Sequence, residues 1–175
     1  MATGSLIKID EEIVTSAVAS VTLTGIDSTY DVYMVKYNNL KMAADKVVFF
    51  RFTESGTPNT SANYDRAHKL LYSTKAFANV SATNQTSAYL DVSRLESGGG
   101  GGGIMYIFNA NNIGEYTFYT AENSNELENA QGGGLVGAQG GGVLTVTSAV
   151  DGIEFTLESA INFTSGTFTL YGLKK

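Results

Sequence analysis

At 175 residues the chain is long enough for one domain with its own core, and without cysteine it can form no disulfide, thiolate metal site or thiol nucleophile. Its 11 Lys+Arg against 17 Asp+Glu give a net charge of −6, so it lacks the basic stripe that duplex nucleic acid demands, and no nucleic-acid partner is expected. No apolar run approaches the ~18 residues of a membrane helix, so no membrane insertion is expected.

In chain order, "MATGSLIKIDEE" lacks the basic-then-apolar order of a signal peptide, which implies a product made in a cytoplasm. Residues 1–12 read as an N-terminal arm ahead of a single domain over 13–175. Within the arm, Leu6, Ile7 and Ile9 are set among polar neighbours and could add as a strand to the free edge of a partner's sheet. "EEIVTSAVASVTLTG" places Ile13, Ala17, Ala19, Val21 and Leu23 on one parity and predicts a strand. "YDVYMVKYNNL" and "KVVFFRF" are aromatic and β-branched, the second so continuously apolar that it predicts a central strand buried on both faces.

"NYDRAHKLLYST" fits either a strand, with Tyr64, Arg66, His68, Leu70 and Tyr72 on one face, or a helix joining Tyr64, Ala67, His68 and Leu71. Its strand-rich surroundings favour the former. Further strands are predicted in "GIMYIF", "EYTFYT", "GVLTVT", "DGIEFTLES" and "SGTFTLYGL". In the last two, Ile153, Phe155, Leu157, Phe168 and Leu170 point inward, while Glu154, Thr156 and Glu158 point outward. Many short strands between glycine and asparagine turns predict an all-β fold, an antiparallel two-sheet sandwich of jelly-roll type.

The six glycines Gly98–Gly103 satisfy G-x-G-x-x-G trivially. A strand follows them where a dinucleotide or phosphate loop needs a helix N-terminus, so they read as a tolerant loop without a ligand. "QGGGLVGAQGGGV" reads either as slack or as backbone packed close against other backbone, with Leu135 and Val136 as candidate assembly contacts. His68 is the only histidine, so a histidine-based metal site could use only one such ligand. Asp27 with Asp31, and Glu154 with Glu158, are carboxylate pairs too sparse for a calcium loop, and no G-x-S-x-G elbow is present. No catalytic residue, cofactor or metal is therefore expected. The ten tyrosines read mainly as core residues with hydroxyls at the rim, with Tyr119 the exposed loop aromatic on which a sugar could stack.

Three stretches carry a resemblance. "GGGVLTVTSAVDGIEFTLESAINFTSGTFTLYGLKK", "STYDVYMVKYNNL" and "RFTESGTPNTSANYDRAHKLL" together resemble, in order, small virion proteins of tailed phages, especially the marine cyanophage type. The resemblance implies a non-enzymatic protein on the particle exterior. A capsid-surface knob or decoration protein is the first reading, because no shaft-forming repeat accompanies the sandwich. A tail-fibre or tail-associated module that binds a host surface glycan is the second. Its implied partners are the major capsid protein or a tail protein, and sister copies of the chain.

Overall fold

A computed structural model describes residues 5–44, 46–93, 100–126, 133–159 and 161–173. They form thirteen strands: β1 (Leu6–Val14), β2 (Ser20–Thr24), β3 (Val32–Met42), β4 (Val47–Glu54), β5 (Thr57–Pro58), β6 (Tyr64–Tyr72), β7 (Ala78–Gln85), β8 (Ala88–Ser93), β9 (Gly101–Phe108), β10 (Thr117–Glu126), β11 (Leu135–Leu144), β12 (Gly152–Leu157) and β13 (Phe163–Leu173). One antiparallel sheet has eight strands in the order β1-β13-β3-β9-β10-β11-β6-β7. The other has five, β2-β12-β4-β5, with β8 also on β4. The fold is an all-β sandwich of two antiparallel sheets.

Alternation decides which residues enter the core. On β12, Ile153, Phe155 and Leu157 are buried, with Glu154 and Thr156 half-exposed on the other face, and on β13 Phe168 and Leu170 are buried. β6 is a strand with Tyr64, Arg66 and Leu70 turned inward, which resolves the ambiguity of that segment. Two predicted patterns fail. β4 buries Val48, Phe50 and Phe52, but Val47, Phe49 and Arg51 stay half-exposed because nothing covers the outer face of the smaller sheet as fully as the core covers its inner face. The parity drawn through residues 13–23 breaks where the chain crosses from one sheet to the other. Ile13 on β1 is 60% exposed while Val14 is buried, and Val21 and Leu23 on β2 are buried. Val18 spans the crossing through paired backbone bonds to Phe163.

The core is an aromatic layer. Phe50 meets Tyr119 edge-on, with ring centroids 4.9 Å apart, and Phe155 meets Phe168 at 4.9 Å. Each fully buried large side chain stabilises by about 1.5–3 kcal/mol, and each well-oriented ring pair adds about 0.5–1.5 kcal/mol. Tyrosine hydroxyls reach the rim and hold loops. Tyr33 Oη donates to the Asp27 carbonyl at 2.6 Å, and Tyr64 Oη accepts the Phe52 N–H at 3.0 Å and donates to the Asn59 carbonyl at 3.2 Å. Burial pushes the Tyr37 and Tyr64 hydroxyls well above the ordinary phenol value.

The glycine run is not a simple loop. Gly98 and Gly99 lie outside the described residues, but Gly101–Gly103 open β9, and Gly103 is paired with Tyr37 on β3 and Asn123 on β10. A Cβ on Gly103 would collide with the Glu122 carbonyl and stand 2.7 Å from the Tyr37 hydroxyl. The second glycine cluster is packed as well. Of its glycines, Gly137 and Gly140–Gly142 lie within β11, and Gly142 leaves the space taken by the Tyr119 ring and hydroxyl. Gln131 and Gly132 lie outside the described residues.

Two expectations follow. Leu157→Ala should cost about 2–5 kcal/mol in denaturant unfolding, as a large-to-small change in a closed core. Gly103→Ala should cost about 1–3 kcal/mol by overpacking. Gly100→Ala, whose Cβ would meet only the Asn39 Cα at 3.9 Å, should stay within about 0.5 kcal/mol of the parent. Equal effects from these two glycine changes would show that the Tyr37 contact does not constrain β9.

Candidate functional site

The outer face of the eight-stranded sheet gathers the most exposed apolar and aromatic surface. Antiparallel pairing aligns its outward residues in rows that cross the strands. In one row Val32 on β3, Phe108 on β9, Phe118 on β10 and Val143 on β11 are successive register partners, and Leu6 pairs with Leu173 at its β1–β13 end. The next row runs Lys8, Tyr171, Met34, Tyr106, Thr120, Gly141, Ala67. A third runs Glu11, Thr169, Lys36, Ile104, Glu122, Gln139, Lys69 through the same pairings.

Phe118 is 46% exposed, and Phe108, Tyr106, Ile104 and Val143 are half-exposed. Beside β9 an open groove of about 570 Å³ is lined by Ile104, Tyr106, Thr120, Glu122, Gln139 and Gly140. Its polar wall is ordered, because Gln139 Nε2 donates to Glu122 Oε1 at 2.6 Å. Lys36 and Lys69 are exposed on this face, and Lys8 bonds Glu11 at 3.1 Å, which holds the Glu11 carboxyl below its ordinary value. An aromatic platform beside a carboxylate, an amide and a hydroxyl can stack on a sugar ring and bond its hydroxyls. The apolar row can equally cover a protein surface.

The residues predicted as assembly contacts fall in three environments. Leu6 and Ile7 are exposed on β1, at 48% and 39%, and Leu6 ends the apolar row. Ile9 sits at a bulge and packs against the core. Leu135 is 54% exposed on β11, separated from β1 by the four strands β13, β3, β9 and β10. Val136 is 1% exposed and clusters inward with Leu70 and Ala138, so it offers nothing to a partner. From Leu6 onward the stretch read as an arm is an edge strand of this chain's own sheet, paired with β13. Asp10 fastens it to the second sheet by accepting the Thr24 N–H at 2.7 Å. Met1–Gly4 lie outside the described residues.

Tyr119 is not an exposed loop aromatic. It is 3% exposed on β10 with its ring in the core, because it shares parity with Thr117, Ala121 and Asn123, all inward. Among the described residues the exposed aromatics are Phe77, Tyr116 and Phe118, with Tyr106 and Phe108 half-exposed. The strict alternation of residues 117–126 could have identified Phe118 and Glu122 as outward. No sequence signal joins them to Lys36 or Tyr106, which are brought alongside by strand pairing.

Two other places carry polar groups. His68 lies beside a crevice of about 10 Å³ with Tyr89, Tyr119 and Asn123, room for about one water. Next to it Arg66, 7% exposed, lays its guanidinium 3.5 Å from the Tyr89 ring centroid, a cation–π contact that partly offsets its burial. Asp27 and Asp31 do reach one cleft, with Asn109, Asn111 and Asn112. There Asp27 accepts the Thr29 N–H at 2.7 Å, a turn-forming bond that holds its carboxyl below the ordinary value. Among the described residues no group of three or more His, Cys, Asp or Glu is placed to hold a metal ion.

Compared with known protein families and with curated proteins, the chain matches no family model and no curated sequence.

Proposed function

We propose that the chain is a non-enzymatic structural protein on the exterior of a tailed phage particle, a knob or decoration protein of the capsid surface. The observation that carries this reading is strand order. Taken in chain order, β1, β2, β3, β4, β8, β9, β12 and β13 are eight strands. The first, eighth, third and sixth are neighbours in the large sheet, and the second, seventh, fourth and fifth in the small one. That order supports the jelly-roll reading, an architecture shared by viral capsid and lectin domains. The hairpin β6–β7 is inserted between the fourth and fifth strands and the hairpin β10–β11 between the sixth and seventh, and both extend the large sheet.

A jelly roll alone hosts many functions, so the reading rests on this order together with the resemblance in residues 28–40, 51–71 and 140–175. The free edge of β1, the last strand of the large sheet, supplies a strand-pairing surface for the shell. The host cytoplasm supplies the protein, and the virion is its destination.

A second reading is favoured by the groove beside Tyr106. Its aromatic ring, the Glu122–Gln139 pair and Thr120 suit a host surface glycan, which would place the protein on the tail.

Labelling purified particles with an antibody against the chain separates the two. Label is expected over the icosahedral shell. Label confined to the tail would replace the first reading with the second, and particles without the protein would end both. For the glycan reading, Tyr106→Ala should weaken binding of the isolated protein to host polysaccharide about tenfold, the loss of about 1.4 kcal/mol of ring stacking.

A further inference from the structure

We propose that the outer face of the eight-stranded sheet is the dimer interface of this protein, and that its occupant is a second copy of the chain related by a twofold axis parallel to β9. The inference does not depend on the virion reading.

The inserted strands make β9 a midline. β3, β13 and β1 lie on one side of it, and β10, β11 and β6 on the other. A twofold axis lying between two facing sheets and running along β9 carries each strand onto its mirror position at the same level. It sets β3 of one copy over β10 of the other, β13 over β11, and β1 over β6. Such an isologous contact requires a face complementary to itself under that exchange.

The middle of each row meets this requirement, while at the margin of the apolar row Leu6 comes over Asp65. In the third row the exchange lays Lys36 of one copy over Glu122 of the other, twice, with Ile104 on the axis between the two pairs. At the ends of that row it lays Glu11 over Lys69. No like charges meet along the row. In the apolar row Val32 comes over Phe118, and in the row between them the bulky Tyr171 comes over Gly141, which has no side chain. Opposite charges and large-against-small contacts at equal distances from one strand are what a self-complementary interface needs, and a flat solvated face has no reason to possess them.

The size also fits. Seven strands at ~4.8 Å spacing and three outward rows at ~6.8 Å give a footprint of roughly 700 Å², close to the ~800 Å² per partner of a standard stable interface. Two twisted sheets stack face to face at ~10 Å, the spacing already used inside the sandwich.

The test uses exposed residues, so that folding and assembly are read separately. Sedimentation equilibrium of the full chain between about 0.1 and 100 μM should show a dimer, with Kd in the micromolar range or tighter. Lys36→Glu and Glu122→Lys, each alone, should weaken it at least about tenfold by setting like charges face to face. The double variant should recover the parent's dimer, and all three should keep the parent's circular dichroism. Because the chain has no cysteine, Ile104→Cys on the axis should be joined into a covalent dimer by a short bis-maleimide, since sheets facing at ~10 Å hold the two thiols beyond disulfide reach, whereas Lys69→Cys at the edge should not.

A protein monomeric throughout that range overturns the proposal, including one that is monomeric and binds glycan through the same groove. So does a dimer indifferent to both single charge reversals, or one that Ile104→Cys fails to cross-link.

Discussion

Tyrosine rings lying across glycine backbone govern how the large sheet is built. Tyr37 on β3 faces Gly103 on β9, and Tyr119 on β10 faces Gly142 on β11. In each pair the absent Cβ is the space the ring or its hydroxyl occupies. With a side chain opposite, the ring would have to stand away from the sheet, and Tyr119 could not meet Phe50 at 4.9 Å across the core. The glycines weaken the strands intrinsically, since they contribute no packing and lose more backbone entropy on folding. The buried tyrosines offset that loss through the area they remove from water.

The same device links the core to the outer face. Turning Tyr119 inward by parity turns Phe118 and Thr120 outward, and turning Tyr37 inward turns Lys36 outward. What reaches solvent on the large sheet is thus a consequence of what the core demands on the alternate positions. Register then assembles the outward residues into rows. Charges from strands as distant in sequence as β1 and β10 come to lie at one level because each successive pairing is antiparallel and in register across the middle of the sheet.

The loops at the sandwich ends are held by polar bonds as well as by buried apolar residues such as Ile26, Ala110 and Val150. Asp151 accepts from the Thr53 hydroxyl at 2.6 Å and the Gly56 N–H at 2.7 Å, closing the β4–β5 turn, and Asp10 ties the edge strand to β2. These carboxylates satisfy backbone donors that the strand ends leave unpaired.

What the sequence determined by itself was the class of fold and much of the core. Period-two alternation is a property of neighbouring residues, so Ile153, Phe155, Leu157, Phe168 and Leu170 declared their inward face before any tertiary contact was known. It could not separate a glycine that begins a strand from one that fills a loop, because glycine carries no side chain to show a period. Gly101–Gly103 became strand only through their partners on β3 and β10. Nor could it separate Tyr119 as a core ring from Tyr119 as a surface platform, or show that Val136 faces inward while Leu135 faces out, since a one-residue change of register reverses every such assignment. The candidate face was decided by tertiary structure alone. Lys36, Tyr106 and Glu122 share one surface because long-range pairing makes neighbours of β3, β9 and β10, and no local pattern in the chain encodes which strand lies beside which.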